Sequence, residues 1–345
     1  MAENGWGNSI SGGMVMMPFR VSRRAVLAAA PLLAVPLGGR IAAAAESDFS
    51  GFLAGVRRDA SAQGIRAATI DVAFRYIQYL PRVIELDRKQ PEHKMTFAEY
   101  LDKVVTQQRI DDARRHLADN WGLLQQVWQR FRVQPRFVVT LWGVESDFGR
   151  TMGSYSVPAA LATLAYDGRR GAMFRAELIA ALKILDQGNV RADNMVGSWA
   201  GAMGQCQFMP TTFLSYAVDF DGDGRRDIWN SRADVLGSIA NYISRLGWRG
   251  EESWGREVAV PSNFDSRLAG LENRRSTVEW GQLGVRPVGA AAFTGREPAA
   301  SLVLPDGIGG TALLVYDNFR VIKKWNNSNY FAAAVGYIAD SIDRS

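Results

Sequence analysis

Apolar residues recur at intervals of three and four over most of this chain, and that helical periodicity limits its fold more than any other feature. Phe52 with Val56, then Ile70, Phe74 and Ile77, open a pattern that runs from Phe49 to about Arg136. Thr96-Phe97-Ala98-Glu99 has the form of a capping box ahead of Tyr100, Val104 and Val105. A second periodic run, Trp121 to Phe131, leads into Pro135, and Phe137 to Trp142 then precede an acidic turn at Glu145. Ala159 to Leu164 and Met173 to Leu185 read as helices, the latter closed by Gly188. Between Gly197 and Pro210 the chain is rich in Gly, Ala and Met, a composition that suits tightly packed backbone.

From Glu257 to about Val321 the character changes. Val258-Ala259-Val260, Val285-Arg286-Pro287-Val288, Ser301-Leu302-Val303-Leu304 and Ala312-Leu313-Leu314-Val315 are short strand-like runs separated by Gly, Pro and Asn. Helix resumes from Ser328 to Ile342. The expectation is a mainly α protein (α+β). It has an N-terminal helical part at 46–136, a core at 137–256, a small β-rich insert at 257–321, and a C-terminal helix at 322–345 that returns to the core.

Residues 1–45 have a different character. Arg20, Arg23 and Arg24 precede the apolar run Ala25 to Leu37 and the small-residue tract Ile41 to Ala45, which is the pattern of an export leader. Val21-Ser22-Arg23-Arg24-Ala25-Val26-Leu27 resembles a twin-arginine signal, pointing to the periplasm. Cleavage near Ala45 would start the mature chain around Glu46; the alternative is a short buried helix. The leader carries four Arg and one Glu, hence +3 of the formal +5, and leaves the mature chain near +2. Such a surface suits an anionic polymer but gives no footprint for nucleic acid. No internal stretch reaches the roughly 18 to 20 apolar residues of a spanning helix.

Scarcity excludes much chemistry. One cysteine, Cys206, allows no intramolecular disulfide and no multi-cysteine metal site. Two histidines far apart in sequence, His93 and His116, argue against zinc and against a Ser-His-Asp hydrolase, although His116 alone stays open as a base. Carboxylates remain. Leu141-Trp142-Gly143-Val144-Glu145-Ser146-Asp147-Phe148-Gly149 sets one Glu among apolar and small residues, which disfavours its ionised form and suits a general acid. The competing reading is a structural hydrogen bond near a helix end.

The block Gly143 to Gly149, then Ala160-Leu161-Ala162-Thr163-Leu164-Ala165-Tyr166, then Gly197-Ser198-Trp199-Ala200-Gly201-Ala202-Met203-Gly204-Gln205-Cys206-Gln207-Phe208-Met209-Pro210, in that order and spacing, resembles the lytic murein transglycosylase B family. Lys89-Gln90-Pro91-Glu92 extends the likeness upstream. The resemblance implies a lysozyme-like core and cleavage of the β-1,4 bond between N-acetylmuramic acid and N-acetylglucosamine in peptidoglycan strands, leaving a 1,6-anhydro ring. It places the catalytic Glu at Glu145 and groove residues at Ser198, Gln207, Phe208, Met209 and Asn326, with Tyr100 at the spacing of the family's groove tyrosine. Trp325 departs from the Tyr the family often has beside that Asn, and Asn327 competes with Asn326. Phe208 and Met209 also read as core, and Ser198 as a helix cap. No catalytic cofactor and a monomer are implied. A hydrolytic muramidase and a non-catalytic wall-binding module remain rivals.

Residues 219–230 follow a calcium-loop pattern, with Asp219, Asp221, Asp223, Gly224 and Asp227 in place, Arg225 giving only its carbonyl, and Asn230 where a bidentate Glu is usual. Asp234 would close a structural Ca2+ shell or cap a helix from Val235 to Leu246.

Overall fold

The computed structural model describes residues 38–89, 95–289 and 292–342, with side chains from residue 48 onward. The basic and apolar segments of the leader, His93 and most of the 89–92 motif lie outside the described residues. Seven helices come first: α1 (Gly38–Ala62), α2 (Ala67–Phe74), α3 (Pro81–Arg88), α4 (Phe97–Val104), α5 (Gln107–Asp119), α6 (Trp121–Phe131) and α7 (Pro135–Ser146). The first of these runs through the cleavage point expected near Ala45. Proline at the first turn starts α3 and α7, where its missing N–H costs nothing. Thr96 and Glu99 form the capping box of α4 in both directions.

Next come β1 (Tyr155–Ser156), α8 (Val157–Asp167), α9 (Gly171–Asp186), β2 (Val196–Gly197), α10 (Pro210–Tyr216) and α11 (Arg232–Arg245). The remaining elements are β3 (Gly255–Ala259), α12 (Thr277–Gln282), β4 (Arg286–Pro287), β5 (Ser301–Val303), β6 (Ala312–Val315), α13 (Asp317–Trp325) and α14 (Asn329–Ile342). Helix α7 is the axis of the molecule, and Phe137 to Gly143 are all buried in it. It packs against α5, α6, α11 and α14. Gly336 of α14 lets that helix close on Trp254, since a Cβ there would stand 2.2 Å from the indole.

Strands β4, β3, β6 and β5 form one antiparallel sheet in that order, with Gly255 opposite Val315 and Ser301 opposite Val315 on the other side. β6 is buried on both faces. Ala312 and Leu314 join a small core with Val258, Phe264 and Trp280, whereas Leu313 and Val315 join the main helical core. That double burial explains an unbroken apolar run where an alternating one is usual for a half-exposed strand. Helix resumes earlier than the periodicity suggests, because α13 begins at Asp317 and buries Phe319, Val321 and Ile322 in the main core. Asp306 of the sheet region ties back to α4 and α14, its carboxylate accepting from the Phe97 N–H at 3.0 Å and the Tyr330 hydroxyl at 2.8 Å.

Candidate active site

Glu145 lies in the last turn of α7, and the chain reverses sharply beyond it. Asp147, Phe148 and Gly149 take φ values of +52°, +58° and +89°, and two of these are strained for residues bearing a Cβ. The reversal is held from several sides. The buried Ser146 hydroxyl accepts from the Gly149 N–H at 3.0 Å. The Phe148 ring folds back under α7 against Gly143, where a Cβ would come within 2.5 Å of it. The Trp142 indole donates to Gln205 Oε1 at 2.8 Å, and Gln205 Nε2 donates to the Trp229 carbonyl at 2.8 Å. His116 packs on Phe148 and Trp142 at ring distances of 4.3 and 4.9 Å, with burial holding its pKa down. It buttresses the turn from below.

Glu145 is a part-buried residue, and burial pushes the pKa of its carboxyl up to about 7. One hydrogen bond pulls the other way: the Trp325 indole Nε1–H donates to Glu145 Oε1 at 2.7 Å. Trp325 ends α13 and sits in a cluster of rings, 5.4 Å from Phe208 and 5.0 Å from Tyr242, which stacks on Tyr216 at 4.4 Å. Asp147, the nearest acid in sequence, turns away. Arg150 holds both its oxygens at 2.8 Å and reaches the buried Asp112 at 2.7 Å. Among the described residues no second carboxylate is placed to share the work of Glu145.

The other sequence-selected residues divide. Tyr100 is buried against Tyr330 with an unpartnered hydroxyl, its pKa raised to about 12 by burial and by Glu145. Asn326 caps the end of α13, and its buried Oδ1 also lacks a partner, while Asn327 is exposed. Phe208 is fully buried beneath Trp325, and Met209 is part-buried at the start of α10. Ser198 and Gln207 are engaged by backbone. The Ser198 hydroxyl accepts from the Ala202 N–H at 3.0 Å, and Gln207 Nε2 donates to the Met152 and Gly204 carbonyls at 3.1 and 2.9 Å. Sequence reasoning passed over Gln205, Tyr242 and Tyr330. It recorded Trp325 only as a departure, although that departure was the available signal.

In the aspartate loop, oxygens of Asp219, Asp221 and Asp223 lie within 4.8 Å of one another. Three acids turned toward one point suit a hard cation, although Asp219 also accepts from loop N–H groups, Asp221 from the Ser231 hydroxyl at 2.6 Å, and Asp223 pairs with Arg225 at 3.0 Å. Two expectations are corrected. The cap of α11 is Ser231, whose hydroxyl accepts from the Asp234 N–H, so the helix begins at Arg232. Asp234 neither caps nor joins the acidic cluster; fully buried, it accepts from the Phe220 and Asp227 N–H groups at 2.6 and 2.7 Å and ties the loop's ends together. Asp227 likewise spends Oδ1 on the Trp229 and Asn230 N–H groups. Arg225 is present through its side chain as well as its backbone.

The profile of the transglycosylase SLT domain family matches residues 48–340. The chain belongs to the lytic murein transglycosylase B family. Membrane-bound lytic murein transglycosylase B of Escherichia coli (strain K12) is 33% identical over 250 residues, which are 70% of this chain and 66% of that relative. SltB3 from Pseudomonas aeruginosa, solved in complex with NAG-anhNAM-pentapeptide and with NAG-NAM-pentapeptide, is 46% identical at a TM-score of 0.83, over 86% of this chain and 80% of that one. The Escherichia coli lytic transglycosylase Slt35, solved in complex with calcium, is 27% identical at a TM-score of 0.72, over 86% and 92%. The arrangement of helices around α7 is thus the lysozyme-like fold of the lytic transglycosylases. The Trp325 to Glu145 bond spans 180 residues of sequence.

Proposed function

We propose that this chain cuts the β-1,4 bond between N-acetylmuramic acid and N-acetylglucosamine of peptidoglycan without consuming water. The observation that carries the reading is a single part-buried Glu with its carboxyl raised to about 7, whose nearest acidic neighbour in sequence is committed to arginine. Retaining hydrolysis uses two carboxyls about 5 to 5.5 Å apart and inverting hydrolysis two farther apart, so a lone acid needs a nucleophile from the substrate. Glu145 gives its proton to the glycosidic oxygen as the bond from C1 to that oxygen breaks. The muramoyl C6 hydroxyl oxygen then bonds to C1, and its proton passes to the Glu145 carboxylate, restoring the acid. No cofactor enters these steps.

The unpartnered Tyr100 hydroxyl and Asn326 Oδ1 would bind the sugar, because a buried polar atom without a partner is costly unless a ligand meets it. Phe208 and Met209 form the apolar floor, and Ser198 and Gln207 hold the turn that shapes it. Asp219, Asp221 and Asp223 would hold a Ca2+ ion, whose positive charge would offset their repulsion and brace the loop. The Arg23–Arg24 leader supports export to the periplasm by the twin-arginine route, and a monomer acting on long strands fits the single site. No described helix is long and apolar enough to cross a membrane.

Mass spectrometry of sacculi digested with the protein tests the reading. Anhydro-ended fragments, lighter by one water than hydrolysed ones, are expected from the native chain and none from Glu145→Gln, which should still bind sacculi. Reducing muramic ends would replace the lyase with a muramidase. Unchanged turnover by the Gln variant would remove Glu145 from its role.

A further inference from the structure

We propose that Trp325 is the positioning residue of this site: its indole fixes Glu145 Oε1 as a permanent acceptor and so leaves the transferable proton on Oε2. The inference rests on the reading of Glu145 as acid and base, and specifies how that carboxyl is oriented. An indole N–H donates and cannot accept. A protonated Glu145 therefore meets it best through its carbonyl oxygen, and the O–H is left on the oxygen facing away. A tyrosine here could reverse the bond, accepting from the acid, and would leave the proton's position open. Trp325 cannot.

The geometry makes this orientation rigid. The bond is 2.7 Å long, and the indole packs on both Phe208 and Tyr242, which touch each other at 5.4 Å, with Tyr216 stacked on Tyr242. The titratable groups facing Glu145 come from three other elements: Tyr100 of α4, Tyr242 of α11 and Cys206 of the 197–210 turn. All three are raised from their ordinary values and stay neutral near pH 7. The Trp325 donor is thus the one contact that favours the ionised carboxylate over the acid. It gives the base of the second step its stability without adding a charge.

The test compares Trp325→Phe and Trp325→Tyr with the native chain across pH, using solubilised sacculus fragments, and follows the Glu145 carboxyl by 13C NMR against Glu145→Gln. Loss of the donor in Trp325→Phe should move the alkaline limb of kcat/KM, and the NMR titration, up by about one pH unit. The same variant should lower kcat roughly ten- to hundredfold with little change in KM. Trp325→Tyr, which keeps a donor, should bring the titration back toward the native value. If Trp325→Phe folds with native melting and neither limb nor titration moves, the assignment is wrong, even though Glu145→Gln is inactive. A rise in KM alone would make Trp325 a sugar platform and equally overturn it. An active Glu145→Gln would instead defeat the functional reading beneath. Should Trp325→Phe fail to fold, Trp325→Met removes the donor in its place, and an unmoved limb and titration in that variant would refute the proposal.

Discussion

Replacing Glu145 by Gln should make the protein more stable above neutrality and leave it nearly unchanged in acid. In the unfolded chain the carboxyl ionises near 4.5, whereas burial in the folded protein delays ionisation to about 7. A raised native pKa means that its contribution to stability is fully present below pH 4.5, falls as pH rises toward 7, and is lost above it. At about 1.4 kcal/mol per pH unit, the gap between 4.5 and about 7 amounts to roughly 3 kcal/mol. The Gln carbonyl still accepts from Trp325, and the neutral amide has no charge to desolvate. The penalty should therefore vanish in the variant. For about 300 ordered residues, that free energy corresponds to roughly 5 °C in melting temperature. Calorimetry of both proteins at pH 4 and pH 8 reads it directly. An advantage near zero at pH 4 that grows to several degrees at pH 8 is the expected outcome. A difference independent of pH, or a less stable variant at pH 8, would show that Glu145 is not held protonated by its surroundings.

Calcium at a hundredfold excess over its dissociation constant should add about 2.7 kcal/mol, read as a rise of roughly 4 °C in melting temperature that chelator reverses. Asp221→Ala, at an exposed member of the acidic cluster, should abolish that rise, and an unresponsive native protein would remove the metal from the account. Tyr100→Phe deletes a buried hydroxyl with no partner, so melting should hold or rise by the equivalent of about 1 kcal/mol while kcat/KM falls about tenfold. Full activity in that variant would mean the hydroxyl never meets the sugar.

Most helices were legible because their signals are local. The capping box at Thr96, the prolines that open α3 and α7, and the apolar rows of α8 and α9 each act within one or two turns. The sheet strands were legible as apolar runs, but their partnership was not. Nothing local shows that Leu313 and Val315 belong to the helical core while Ala312 and Leu314 belong to a second one. The cap of α11 was misplaced for a related reason. Ser231 and Asp234 both suit the start of a helix, and only the loop's need for a buried acceptor at both ends assigns Asp234 elsewhere.

At the site, the setting of Glu145 was readable as one carboxyl among apolar and small residues, although composition alone left a structural hydrogen bond as its rival. What tunes it was not. A pKa depends on the balance between burial and hydrogen bonding, and here the bond comes from a residue 180 positions away. The groove residues implied by resemblance show a second limit: Ser198 and Gln207, polar residues in an apolar run, each commit one group to the turn's own backbone. In a buried polar side chain, sequence shows the need for a partner but not whether backbone or substrate supplies it. Among the sequence-selected groove residues, the buried polar atoms left unpaired belong to Tyr100 and Asn326.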